Sequence, residues 1–186
     1  MTRIVSGSYG GRTLQVPDKG TRPTSERVRE AIFSWLDHRG LLEDAVVVDL
    51  FAGSGALGLE ALSRGAVHAT FVEANRRAAD VIRRNVATLG ADGAQLAVEK
   101  AERFVARPAP TAWTTVFVDP PYDLAEAELA QVLAGASQST DMDGVLVVER
   151  STRSPEPTWP EGWQLSARKD YGETAVYYVE WAGAGS

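Results

Sequence analysis

With 186 residues, 44% of them hydrophobic and 24% charged, the chain suits one globular domain with a sizeable core and leaves no room for two large domains. The absence of cysteine excludes disulfides and thiolate metal sites; the two histidines, His38 and His68, are far apart, so no structural metal is expected. A net charge of −6 argues against nonspecific nucleic-acid binding over the whole surface. No run approaches the roughly 18 apolar residues of a membrane span, which makes a cytoplasmic monomer the default expectation.

The charge is unevenly spread. Residues 1–40 carry seven bases (Arg3, Arg12, Lys19, Arg22, Arg27, Arg29, Arg39) against four acids (Asp18, Glu26, Glu30, Asp37), so 7 − 4 = +3, and −9 remains for the rest. An acidic body with a basic N-terminal segment suggests a localised RNA or DNA contact, with a chance asymmetry of a solvated surface as the plainer reading. Arg3 to Val16 alternates weakly around Gly10-Gly11 and reads as a β-hairpin, residues 1–24 forming an extension that projects beyond the main domain, residues 25–181. Ser25 to Leu36 places Val28, Ala31, Ile32, Trp35 and Leu36 on one helical stripe, with Thr24 as N-cap and Arg27, Arg29 and Glu30 off the stripe.

Residues 45–62, AVVVDLFAGSGALGLEAL, hold the densest chemical information. A buried-strand run breaks at Asp49 into a glycine turn and then a helix ending near Gly65. Gly53, Gly55 and Gly58 satisfy the G-x-G-x-x-G spacing, in which glycines permit a tight turn, close approach of a ligand and helix-on-strand packing. Glu73 ends the next apolar run, 73 − 53 = 20 residues from the first glycine, where a ribose-binding carboxylate is placed. Asn75 then caps a helix to Leu89 whose outward arginines, Arg76, Arg77, Arg83 and Arg84, read as a solvated face, with an RNA-facing stripe as the alternative.

Gln95–Val98 predicts a third strand, Glu102–Val105 a helical turn, Thr114–Val118 a fourth strand, Leu124–Ala134 a helix and Gly144–Glu149 a fifth strand. This rhythm requires right-handed crossovers and a parallel sheet covered on both faces, with ligands at the carboxyl ends of the strands. Trp163–Lys169 and Thr174–Trp181 are too close for a helical crossover and predict a terminal antiparallel hairpin. The layout is that of class I methyltransferases: an α/β fold with a seven-stranded, mostly parallel sheet. Residues 182–186 are expected to form a disordered tail.

Two motifs suggest S-adenosylmethionine as cofactor. Asp49 could meet its ammonium, Gly53 and Gly55 let its amino-acid portion approach the backbone, and Glu73 accept from both ribose hydroxyls. Phe51 and Ser54 belong to the same turn. Adenine would lie near Asn75 and Ala101, and which residue of Glu99-Lys100-Ala101-Glu102 faces it stays open. The second motif, Asp119-Pro120-Pro121-Tyr122, ends the fourth strand. An exocyclic amine has its lone pair delocalised into the ring, so positioning is most of the problem; Asp119 and the Pro120 carbonyl could take its hydrogens and Tyr122 could stack on an extruded base.

The sequence resembles the RsmD family, bacterial methyltransferases acting on the 2-amino group of one guanine in 16S ribosomal RNA. The likeness rests on RIVSGSYGGRTLQVP, TRPTSERVREAIFSWL (21–36), VDLFAGSGALGLEAL, FVEANRRA (71–78), VFVDPPYD (116–123) and YGETAVYYVEW (171–181). It implies S-adenosylmethionine as donor, a target on the assembled small ribosomal subunit, an N-terminal extension that engages RNA through Arg3 and Arg12, and a segment holding Arg22, Thr24 and Arg27 at the edge of the active site. Carried over by position, Asp49, Gly53, Gly55 and Glu73 hold the cofactor, while Asp119, Pro120, Pro121 and Tyr122 hold the base. Competing readings are an adenine-amine methyltransferase acting on DNA or RNA, an NAD-dependent oxidoreductase, and a non-catalytic ribosome-assembly factor.

Overall fold

The computed structural model describes residues 2–18 and 24–183. Its elements run in chain order β1 (Thr2–Arg3), β2 (Thr13–Leu14), α1 (Glu26–His38), β3 (Val46–Asp49), α2 (Ala56–Ser63), β4 (His68–Val72), α3 (Arg76–Leu89), β5 (Ala94–Ala97), α4 (Ala101–Val105), β6 (Trp113–Val118), α5 (Glu126–Ser139), β7 (Thr140–Ser151), β8 (Trp163–Tyr171) and β9 (Thr174–Trp181). The main sheet has the order β5-β4-β3-β6-β7-β9-β8, parallel from β5 through β7 and antiparallel at β9 and β8.

Side-chain alternation divides the core into two layers. Val47, Phe117, Val145, Val147, Val176 and Tyr178 point to the side covered by α1, α2 and α3, and Val48, Val116, Val118, Leu146, Val148, Tyr177 and Val179 to the side covered by α4 and α5. Both faces are buried, which is why the strands read as unbroken apolar runs. The chain leaves β3 towards β4 and β5, then returns to β6 on its other side. The crevice at this switch point opens above the carboxyl ends of β3 and β6.

Three expectations change. The hairpin does not project: Ile4 and Leu14 are fully buried in the α1–α3 core layer, and its paired strands shrink to two residues each. It is docked on α2, where buried Glu60 accepts from Val5 N (2.8 Å) and Ser6 N (3.1 Å), and Ser63 Oγ accepts from Tyr9 N and donates to the Ser6 carbonyl. Gly7 has φ +87°, and a Cβ there would stand 2.0 Å from the Ser63 carbonyl oxygen, so the close approach requires glycine. Second, Ser25 caps α1 instead of Thr24, accepting from Val28 N. Third, Arg29, placed off the apolar stripe by the helical wheel, is fully buried: its guanidinium pairs with Glu60 (3.4 Å) and donates to Thr2 Oγ1 and the Arg3 carbonyl.

The remaining differences are of extent. α5 runs to Ser139 and β7 starts at Thr140, with a register irregularity between Trp113 and Thr115 on its partner β6. The terminal hairpin forms as expected, β9 lying between β7 and β8.

Candidate active site

Strand parity builds the site. Asp49 lies two residues after Val47, Asp119 two after Phe117 and Glu149 two after Val147, so all three acids share the α1–α3 face at the carboxyl ends of adjacent strands. Glu73 follows β4 beside them. Asp49 and Glu149 are buried and Asp119 is half-buried.

The turn between β3 and α2 is shaped by its glycines. Gly53 (φ +59°) and Gly55 (φ +83°) occupy the left-handed region, and a Cβ at Gly58 would stand 2.4 Å from the Phe71 ring, so α2 lies directly against β4. Asp49 Oδ2 accepts from Gly58 N at 3.2 Å, whereas Oδ1 is buried without a partner. Burial, with the nearby charges of Asp119 and Glu73, pushes the Asp49 carboxyl up to about 7 against the Gly58 N–H. An unpartnered buried acceptor of this kind fits a cationic or hydroxyl-bearing ligand group.

Glu73 is held by two backbone donors, Gly53 N to Oε1 (2.8 Å) and Asn75 N to Oε2 (2.9 Å). Each oxygen keeps a second lone pair, which suits a vicinal diol. The Asn75 side chain is committed to capping α3 through Arg77 N and Ala78 N. Phe51 packs at the edge of the α4–α5 layer, Ser54 is buried with its carbonyl accepting from Asn85 Nδ2, and Ala101 is buried at the start of α4. Glu99 is engaged by Arg107 through two 2.8 Å bonds.

The turn after β6 places Asp119 beside Pro120, which is buried, and Tyr122, which is 87% exposed and so offers an unpacked ring face. Arg150, at the end of β7 and itself buried, holds this loop by donating to the Pro121 carbonyl (3.3 Å) and to Glu126 on α5 (2.9 Å). The Thr24 hydroxyl oxygen lies 3.0 Å from Asp119 Oδ2 and 3.2 and 3.3 Å from the two Glu149 carboxyl oxygens. Burial pushes Asp119 up to about 6, opposed by its bonds to Thr24 and Glu149 and by the Arg150 charge. Burial and the Asp119 charge push Glu149 well above the usual carboxylate range.

The structure thus gathers Asp49, Phe51, Gly53, Ser54, Gly55, Glu73 and Asn75 around the first turn, with Ala101 following the neighbouring strand β5. It brings Asp119, Pro120, Pro121, Tyr122 and Thr24 together at the second. Arg3 pairs with Glu26, Arg12 donates to the Thr88 carbonyl, and Arg27 is exposed on α1; Arg22 lies outside the described residues. Sequence reasoning missed Glu149, Arg150 and Asn85. For Glu149 a signal existed: VVVD, TFVE, VFVD and LVVE are all apolar strands ending in an acid.

A sheet in this order, with a glycine turn after its first parallel strand and Asp-Pro-Pro-Tyr after its fourth, defines a class I methyltransferase. The family model described as "Conserved hypothetical protein 95" matches residues 2–180. The chain is 40% identical over 174 residues to ribosomal RNA small subunit methyltransferase D of Escherichia coli K12, covering 93% of this chain and 86% of the relative. It is 34% identical to the putative rRNA methyltransferase YlbH of Bacillus subtilis over 94% of this chain and 96% of that one. A solved structure described as the putative methyltransferase yhhF from Escherichia coli superposes with a TM-score of 0.84 at 38% identity, covering 97% of each chain. The chain belongs to this family, the RsmD methyltransferases.

Proposed function

We propose that the protein transfers a methyl group from S-adenosylmethionine to the exocyclic 2-amino group of a specific guanine in 16S ribosomal RNA, on the assembled small subunit. The observation that carries the reading is the adjacency of two half-sites: a glycine turn flanked by Asp49 and Glu73, and an Asp-Pro-Pro-Tyr turn on the next strand of the sheet. Relatives at 40% and 34% identity carry ribosomal RNA methyltransferase names, which supports RNA as the substrate class.

The cofactor supplies an electrophilic methyl group on a sulfonium. Asp49 meets its ammonium with the unpartnered Oδ1, Gly53 and Gly55 with Phe51 and Ser54 surround the amino-acid portion, Glu73 takes the ribose hydroxyls, and Asn75 and Ala101 border the adenine. Asp119 and the Pro120 carbonyl accept the hydrogens of the target amine and aim its nitrogen at the methyl carbon, Pro121 is pinned by Arg150, and Tyr122 stacks on the base. The methyl passes directly to nitrogen with no covalent enzyme intermediate. Arg3, Arg12, Arg22 and Thr24 of the N-terminal segment, residues 1–24, together with Arg27, meet the RNA alongside the catalytic domain, residues 25–181.

The test is incorporation of labelled methyl into small subunits from a bacterial strain lacking the corresponding enzyme, followed by nucleoside digestion. Label in N2-methylguanosine of 16S RNA is expected; label in N6-methyladenosine would move the assignment to the adenine-amine reading, and none at all would favour a non-catalytic assembly factor.

A further inference from the structure

Outside the residues given a role above, one buried titratable group faces the reacting end of the site. Glu149 lies beside Asp119 under the Thr24 hydroxyl, with Asp49 two strands away beyond Asp119 and Arg150 following it in β7. A threonine hydroxyl carries one proton, yet its oxygen lies within 3.3 Å of oxygens from both carboxyl groups. If both groups were ionised, one hydroxyl proton would be left to serve two carboxylates, and two like charges would share a buried site. One proton held between the carboxyls removes both conflicts. Glu149 is the more deeply buried of the two, whereas Asp119 is half-buried and opens to the site, so Glu149 is the member that keeps the proton and donates it, in keeping with burial raising both groups.

We propose that Glu149 is a positioning residue for the methyl-transfer step, acting through Asp119: as a neutral acid it donates to Asp119, keeping Asp119 a carboxylate that faces the incoming amine. The inference rests on the methyltransferase reading of the site. In the step, the amine nitrogen gains the methyl carbon, the sulfur keeps the electron pair of the broken bond, and Asp119 takes the proton shed by nitrogen. The carboxyl pair carries one negative charge before transfer and none after it, and one proton then leaves to water. Such a pair takes up the proton without placing two charges side by side in a buried site at any stage. Thr24 ties this pair to the N-terminal segment, so the group that holds the amine and the segment proposed to meet RNA share a hydrogen bond.

The experiment compares the pH profiles of kcat for wild type, Glu149→Gln and Glu149→Leu on small subunits, with S-adenosylhomocysteine affinity measured by calorimetry as a check on folding. The Gln amide still donates to Asp119, whereas Leu leaves Asp119 to take the proton itself. At about pH 6 the Leu variant is expected to turn over about fivefold more slowly than the Gln variant, and the gap to close towards about pH 9, because its acid limb lies about one unit higher. Equal impairment of both variants, or a loss in the Leu variant that does not change with pH, overturns the proposal. A carboxyl-carbon NMR titration of wild type reads the pair directly, without turnover: one protonated and one ionised carboxyl at about pH 7 is expected. Two ionised groups overturn the proposal even if the Leu variant fails to fold. Absence of methylation by wild type would instead defeat the functional reading and leave the titration result standing.

Discussion

Asp49 is the residue whose chemistry is most exposed to pH. Its folded carboxyl sits at about 7 against an ordinary 3.8, so the folded state binds the proton more tightly than the unfolded chain. The sign follows: stability from this group is full below the unfolded value and is lost as pH rises from there through about 7, by a total of about 4 kcal/mol. A ligand ammonium favours the ionised form, so cofactor binding should expel a proton near neutrality. S-adenosylhomocysteine is therefore expected to bind more weakly by up to about tenfold per unit below about pH 7. Calorimetry in buffers of different ionisation enthalpy would show the released proton, and buffer-independent heats would remove the ammonium contact from Asp49. For Glu73→Ala, loss of the diol acceptor and of the carboxylate that holds Gly53 N and Asn75 N should weaken the same ligand by about tenfold to a hundredfold. Asp119→Ala should leave that affinity nearly unchanged while kcat falls by about a hundredfold or more. Unchanged turnover would sink the role given to it.

Among the elements, α2 does two jobs, and each can be tested by one substitution. Its sheet-facing side requires a glycine, because a Cβ at Gly58 overlaps the Phe71 ring at 2.4 Å and buried Phe71 has little freedom to retreat. Gly58→Ala should cost about 1–3 kcal/mol in chemical denaturation and lower the melting temperature. Its outer side carries Glu60, which neutralises buried Arg29, bonds Arg64 and receives two backbone donors of the N-terminal segment. Glu60→Leu would leave the Arg29 guanidinium uncompensated and should destabilise the fold by about 3–5 kcal/mol. Hydrogen exchange should show the amides of residues 4–9 losing protection in that variant; full protection there would mean that apolar contacts of Ile4 and Leu14 suffice to dock the segment.

At the scale of the whole molecule, the charge distribution constrains how RNA is engaged. The net charge is −6, and the +3 of residues 1–40 includes Arg29, which is buried against Glu60 and adds nothing to a surface field. Arg3 is paired with Glu26, which weakens it further as a phosphate contact. Few phosphates can be neutralised by such a surface, so affinity for bare RNA should be low and its salt dependence shallow. Assembled small subunits are accordingly expected to be methylated at least about tenfold faster than protein-free 16S RNA at physiological salt. Equal rates would place recognition in the RNA alone.

Much of this was legible in the sequence because it is local. A strand, its turn and the following helix span some twenty residues, so Asp49, the glycines and Glu73 declare themselves by spacing, and the link between the last two strands is too short for anything but an antiparallel hairpin. The parallel sheet follows from the alternation of strands and helices. What the tertiary structure decided lies between distant segments. Thr24 meets Asp119 across 95 residues and Glu149 across 125, a junction set by strand order and by the packing of α1 over the sheet. Arg29 enters the core opposite Glu60, 31 residues later, which offsets part of the cost of burying its charge, and a helical wheel contains no information about a partner on another helix. Periodicity records which side of an element is apolar; whether a charged side chain is buried depends on what the fold brings opposite it.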